Sequence, residues 1–263
     1  MRDLLPATRW RLLASPNAGA AANMAVDHAL LEHAARTGEG VLRTYGWAPR
    51  ALSLGRNQRG AGVFAPARAA ELGIDVVRRP TGGRAILHAR EHTFSLAAPI
   101  AAAASVARVA AVTAAWLRAA LGALGADVEV AAVRRRHAPP GATACFAEPA
   151  RGELTWRGRK LAGVAQWRDG GALLQQGSVL VDDDQPLLGA LSLVPLSGMP
   201  PAATLRETIG REPGQAEFTR ALADALAQLV GDALVPLAPL DPAAQPGAAL
   251  ARLYRDDAWT WRR

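Results

Sequence analysis

Two periodicities alternate along the chain. Met24, Val26, Leu30 and Leu31 recur at helical spacing, and Asn23 ahead of them reads as the N-cap of an amphipathic helix to about Ala35. Val41 to Tyr45 and Ala51 to Leu54 then read as short strands around a Trp47-Ala48-Pro49 turn. Ile74 to Arg79 has strand character, but Pro80-Thr81-Gly82-Gly83 cannot continue it and must turn or bulge. Arg84 to His88 and Thr93 to Ala97 resume extended patterns. Val106, Val109, Val112, Trp116, Leu121 and Leu124 then mark one long packed helix ending at Gly125.

From Glu153 the pattern is a meander: Glu153 to Arg157, a tight turn at Gly158, Lys160 to Arg168, the Asp169-Gly170-Gly171 turn, and Ala172 to Val181. Beyond Asp184 the chain becomes Pro-punctuated and helical, with Phe218, Leu222, Leu226 and Leu229 on one face and a last short helix near Leu250 to Tyr254. Strands in clusters separated by helices, without strict alternation, predict an α+β fold with mixed or antiparallel sheets.

The 263 residues are 50% hydrophobic and 20% charged, enough for one core with no disulfide or metal staple. We expect a single domain over 1–263, with the helical segment 185–263 as its C-terminal part. Cys145 is the only cysteine, so no intramolecular disulfide forms, and a reducing cytoplasm is the expected compartment. Arg9, Arg11, Asp27 and His28 interrupt the start, and Arg108 and Arg118 interrupt the Ala-rich run to Ala126, so neither segment is expected to span a membrane.

A net charge of +7 attracts polyanions. Yet the basic residues are dispersed, with tight runs at Arg78-Arg79 and Arg134-Arg135-Arg136, and no aromatic platform accompanies them. We expect no nucleic-acid partner from this pattern, and an acidic protein partner would serve the positive charge equally well. Of the 30 basic residues, 29 are arginine and one is Lys160. An ammonium is a compact donor that a guanidinium does not replace in a reaction centre, so the surviving lysine is a candidate.

His88-Ala89-Arg90-Glu91-His92 matches an inverted zinc-protease spacing, but that motif needs a helix and these residues lie between strand patterns, so we expect no metal. In Arg79-Pro80-Thr81-Gly82-Gly83-Arg84-Ala85 the paired glycines allow close approach of backbone N–H groups to a ligand, and the arginines favour an anionic or carbonyl-bearing one. Cys145 lies in a Pro- and Gly-flanked stretch. A nearby ammonium would favour its thiolate, the nucleophilic form; a small buried hydrophobe is the alternative.

Several segments together resemble the biotin/lipoate protein ligase and acyltransferase superfamily, and within it the octanoyltransferases of the LipM type. They are Asn23 to Asp27, Leu52 to Gln58, Arg78 to His88, Gly158-Arg159-Lys160-Leu161-Ala162-Gly163-Val164-Ala165-Gln166, and Leu253 to Trp259. The resemblance implies that Arg79, Thr81, Gly82, Gly83, Arg84, Ala85, His88 and Gly163 hold the acyl group. It implies that Lys160 is the functional lysine and that Cys145, fifteen residues earlier, carries the acyl thioester. It further implies chemistry without metal or nucleotide cofactor. The donor would be octanoyl-acyl carrier protein. The acceptor would be a lysine on a lipoyl-accepting protein, either a glycine cleavage H protein or a 2-oxoacid dehydrogenase lipoyl domain. Its rivals are an ATP-dependent lipoate-protein ligase, in which a third glycine would stand at Arg84, and a basic binding module without catalysis. The chain departs from the pattern at His92, Phe94, Val164 and Gln176, where leucine, tyrosine, serine and histidine are expected.

Overall fold

The computed structural model describes residues 1–131, 152–196, 200–239 and 241–262. The first half runs β1 (Trp10–Ala14), α1 (Ala20–Thr37), β2 (Gly40–Tyr45), β3 (Ala51–Leu54), α2 (Pro66–Glu71), β4 (Asp75–Arg78), β5 (Ile86–His88), β6 (Glu91–Pro99), α3 (Val106–Ala123) and β7 (Glu129–Val130). The second half runs β8 (Leu154–Trp156), β9 (Arg159–Asp169), β10 (Ala172–Leu180), α4 (Leu188–Leu191), α5 (Leu205–Ile209), α6 (Gln215–Val230), β11 (Val235–Pro236), α7 (Ala248–Leu253) and α8 (Asp257–Thr260). Among the described residues the strands form an eight-stranded sheet, β11-β1-β2-β6-β10-β9-β8-β7, and a three-stranded sheet, β4-β3-β5. Parallel pairs join β11, β1 and β2 and also β3 and β4; the other neighbours are antiparallel. The expected α+β class with mixed sheets is the class observed.

The meander is set locally. Asp169 pairs with Ala172, and the two residues between them, Gly170 and Gly171, have φ of 55° and 81°. Left-handed backbone at both central positions matches the twist of the flanking strands. Trp156 pairs with Arg159 in the same way, with Arg157 and Gly158 at φ of 51° and 74°.

Both faces of the large sheet are covered. On one, Trp116, Leu117 and Leu121 of α3 and Phe218, Leu222 and Leu226 of α6 pack on Leu42, Phe94, Leu96 and Leu173. On the other, Leu30, Leu31 and Ala34 of α1 pack on Leu13, Val41, Ala97 and Leu174. The smaller sheet has its own core, with Leu52, Leu54, Ala85 and Leu87 against Phe64, Ile74, Leu188 and Leu191. α3 passes a length and apolarity test for a membrane span, but its apolar stripe is the one packed in this core.

One expectation is corrected. Asn23 does not cap α1: the helix begins at Ala20 behind Gly19, and Ala20 N–H donates to Asp75 Oδ2 at 3.1 Å. Asn23 is fully buried one turn inside, donating to the carbonyls of Ala18 and Gly46 and accepting from Arg43 Nη2. A short polar side chain has the same sequence signature in either place. Burial against β2 decides which of its hydrogen bonds form.

The last segment is bound into the fold by Arg78. Its guanidinium is buried and donates to the carbonyls of Gly55, Gln58, Trp259, Thr260 and Arg262. Burial, then the neighbouring Arg262 and Arg79 charges, bring its pKa down to about 10.

Candidate active site

The cavity that concerns function lies where the two sheets meet. The small sheet supplies Ser53, Ile86 and His88, with Arg79 and Gly83 from the turn after β4. The large sheet supplies Tyr45, Thr93, Gly163 to Ala165, and Gln176 to Ser178, and Trp47 and Glu153 complete the wall. The enclosed space is about 90 Å³.

Its polar wall arises from strand alternation. On β6, His92, Phe94 and Leu96 point toward α3 and α6, where His92 stacks on Phe218 and Phe94 meets Trp116 edge-on. The alternate residues Glu91, Thr93 and Ser95 are also buried, and here polar groups satisfy one another. Asp27, at the middle of α1, accepts from Arg43 Nη1 (2.6 Å), Ser95 Oγ (2.7 Å), Tyr45 Oη (2.8 Å) and Gln176 Nε2 (2.7 Å). Burial, reinforced by the Asp27 charge, holds the Tyr45 hydroxyl well above the ordinary phenol range, so it stays protonated and donating.

The glycine turn is shaped by Arg79. Its guanidinium donates to the carbonyls of Ser53, Gly82 and Arg84 at 2.7–3.1 Å, so this arginine organises the turn as well as charging it. Gly83 has φ of +92°, and a Cβ there would meet Arg79 Nη2 at 2.7 Å. A Cβ on Gly55 would meet the Gly83 carbonyl oxygen at 1.9 Å, so these two backbones pass in a contact that only glycine at 55 permits.

Of the residues expected at the site, Arg79, Gly83, His88 and Gly163 line the cavity. Gly82 and Arg84 turn their carbonyls to Arg79. Thr81 is buried and donates through Oγ1 to Gln176 Oε1 at 2.7 Å, while Ala85 packs in the core of the small sheet. Gln176, at the position where histidine was expected, therefore bridges Asp27 to the glycine turn. Lys160 on β9 has a side chain only 2% exposed, and its Nζ donates to Glu153 Oε1 at 2.8 Å. Cys145 lies outside the described residues.

Glu153 also borders a second cavity of about 160 Å³. That one lies on the α3 face, lined by Ala114, Leu117, Val164 and Gln175, whose side chain bonds Thr113 of α3. The Lys160–Glu153 pair thus stands beside both cavities, which share Glu153, Val164 and Ala165 in their walls.

Sequence reasoning did not single out Ser53, Glu91 or Glu153. Ser53 Oγ lies 2.7 Å from His88 Nε2, and His88 Nδ1 lies 2.6 Å from Glu91 Oε1. Trp47 lies flat on the imidazole, with ring centroids 3.9 Å apart and planes 14° from parallel. Glu91 was visible in the rejected zinc spacing and in the Glu91-x-Thr93-x-Ser95 segment, without a role. His88 falls on β5 and Glu91 on β6, the strand context expected for that segment.

Comparison with known proteins identifies the family. The lipoyl protein ligase A/B catalytic domain matches residues 19–227. Octanoyltransferase LipM of Kyrpidia tusciae is 35% identical over 272 residues, covering 97% of this chain and 99% of that protein. Octanoyltransferase LipM of Bacillus subtilis is 38% identical over 200 residues, covering 71% and 70%. A bi-partite lipoate protein ligase from Thermoplasma acidophilum has a TM-score of 0.76 at 19% identity, covering 96% of each chain. A lipoate-protein ligase A bound with ATP has a TM-score of 0.75 at 20% identity, covering 97% of this chain and 99% of that one. Those structural likenesses speak to the fold; the sequence relatives speak to the subgroup. The chain belongs to the lipoyl protein ligase A/B catalytic-domain family and is an octanoyltransferase of the LipM group.

Proposed function

We propose that the protein transfers an octanoyl group from an acyl carrier protein to a lysine of a lipoyl-accepting protein, through a thioester on Cys145. Full-length similarity to octanoyltransferases carries this reading. Two further facts support it: Lys160 is buried in an ion pair beside the cavity, and the chain's only cysteine precedes it by fifteen residues. The Cys145 thiolate attacks the donor carbonyl and the carrier leaves as its thiolate; the acceptor amine then attacks the enzyme thioester, its proton passes to the sulfur, and the Cys145 thiol is released. Lys160, kept in place by Glu153, is assigned to favour the thiolate and stabilise the oxyanion of each tetrahedral intermediate. The Gly82-Gly83 turn, held by Arg79, positions the acyl carbonyl. The net charge of +7 suits acidic carrier and acceptor domains. The whole chain acts as one catalytic unit, with 185–263 contributing the strand and carbonyls that close it.

The test is transfer from octanoyl-carrier protein without ATP, followed by intact mass. One octanoyl adduct on the wild type, absent in Cys145→Ala, is expected. Transfer of free lipoate only when ATP is present would instead identify a ligase.

A further inference from the structure

We propose that Ser53, His88 and Glu91 form a proton relay that serves the second, amine-consuming half of the acyl transfer, a role that rests on the Cys145 thioester reading above. With the ring proton assigned to the nitrogen that faces Glu91, His88 Nε2 accepts from the Ser53 hydroxyl 2.7 Å away, and Ser53 Oγ accepts in turn from Arg79 Nη1 at 3.0 Å. The other ring nitrogen, Nδ1, faces the Glu91 carboxylate at 2.6 Å and carries the proton there. His88 therefore presents a lone pair at Nε2, reached through the serine hydroxyl, with a carboxylate behind it.

The surroundings suit this role. Glu91 Oε1 also accepts from Thr93 Oγ1 at 2.6 Å and Ser178 Oγ at 2.9 Å, which fixes the carboxylate. Its Oε2 is buried and makes no hydrogen bond among the described residues, so the hydrogen bonds of the carboxylate converge on Oε1, the atom that faces the imidazole. Trp47 covers one face of His88 and is itself held by its Nε1–H to Thr93 Oγ1. Among the described residues that line the cavity, the charged side chains are Arg79, on the serine side, and Glu153. Ser53 and His88 line the same cavity as Gly83 and Gly163, which places the relay at the wall of the acyl site.

In the second half-reaction the neutral lysine amine adds to the thioester carbonyl, forming the C–N bond and a positively charged nitrogen. That nitrogen gives a proton to Ser53 Oγ as the Ser53 proton passes to His88 Nε2, and Glu91 stabilises the imidazolium. The C–S bond breaks, the amide is released, and the imidazolium gives up its proton to the departing thiolate. Acylation of Cys145 by a donor thioester exchanges one thiolate for another and needs no such base.

The experiment follows both halves with octanoyl-carrier protein as donor and a lipoyl domain as acceptor, using Glu91→Gln and Ser53→Ala. The last deletes one oxygen and guards against loss of fold, which circular dichroism monitors. Acyl-enzyme formation by intact mass is expected within about threefold of wild type. Single-turnover transfer to the acceptor lysine is expected to fall by about 10²-fold or more, the usual contribution of general base catalysis. Hydroxylamine, a nucleophile that needs no base, should discharge the acyl-enzyme of variants and wild type at equal rates, which a merely structural defect would not preserve. Equal loss in both halves, undiminished lysine transfer, or slowed discharge by hydroxylamine would overturn the relay. So would an octanoyl adduct on Ser53 in Cys145→Ala, which would make the serine a nucleophile. A wild type that forms no adduct would remove the thioester reading and the relay with it.

Discussion

Replacing Asp27 with asparagine keeps the shape of the side chain and removes its charge. The carboxylate accepts four hydrogen bonds at 2.6–2.8 Å with no exposure to solvent, and the Arg43 guanidinium it faces is also buried. Breaking a buried ion pair by removing one partner costs about 3–5 kcal/mol, because the remaining charge has no counter-charge and little water. Two features place Asp27→Asn near the lower end. Arg43 keeps hydrogen bonds to the Asn23 carbonyl and side chain and to Ser15 Oγ. On the Oδ2 side, Tyr45 can turn its hydroxyl to accept from the new amide, and Gln176 can flip because its other partner, the Thr81 hydroxyl, serves as donor or acceptor. The Arg43 side has no such remedy, since a guanidinium cannot accept.

A loss of about 3 kcal/mol is therefore expected, which for a domain of this size lowers Tm by roughly 6–10 °C. Differential scanning fluorimetry at neutral pH measures it, and Arg43→Met with the double variant completes a cycle. The double variant should be more stable than the sum of the single losses predicts, because no buried charge is left alone in it. A shift below about 2 °C in Asp27→Asn, or strict additivity in the cycle, would refute the claim that this pair organises the α1 face of the sheet.

Lys160→Arg keeps the charge but places a longer, planar group where Nζ sits 2.8 Å from Glu153 with a side chain 2% exposed; transfer should fall about 10²-fold, and full activity would mean that charge alone suffices. Gly55→Ala should lower both activity and Tm, since its Cβ would meet the Gly83 carbonyl oxygen at 1.9 Å, whereas Gly82→Ala, with nothing within 4 Å, should fold normally; equal Tm losses would refute the close-approach argument. Burial, despite the opposing Glu32 and Asp169 charges, holds the His28 imidazole below its ordinary 6.5. The folded state therefore binds this proton less readily than the unfolded chain, and the group's stabilisation, present above pH 6.5, is lost as pH falls through the lower folded value. Tm should decline in that window for the wild type and less steeply for His28→Gln.

What the sequence could tell was decided by how local each feature is. The β9–β10 hairpin and the helices α3 and α6 follow from turn chemistry and period, and both are where the pattern put them. β1 was missed because Trp10–Ala14 is short and is held by parallel pairing to β2 and to the two-residue β11, contacts that lie outside any local window. The polar positions of β6 and β10 show the deeper limit. Thr93, Ser95, Gln176 and Ser178 alternate with apolar neighbours as the water-facing side of a sheet would, yet all four are buried. Period tells which residues share a face; what covers that face is tertiary information. Here the covering element is α1, and its buried carboxylate, Asp27, makes the polar face tenable by accepting from Ser95 and Gln176. A buried polar strand face requires a complementary polar group on the element above it, so an aspartate inside an otherwise apolar helical stripe was the signal available. Gln176 extends that logic to the cavity: a histidine in its place could not both donate to Asp27 and accept from Thr81 without taking the one tautomer that fits. The substitution therefore keeps the bridge between α1 and the glycine turn while removing a titrating group from it, which leaves His88, backed by Glu91, as the imidazole on the cavity wall among the described residues.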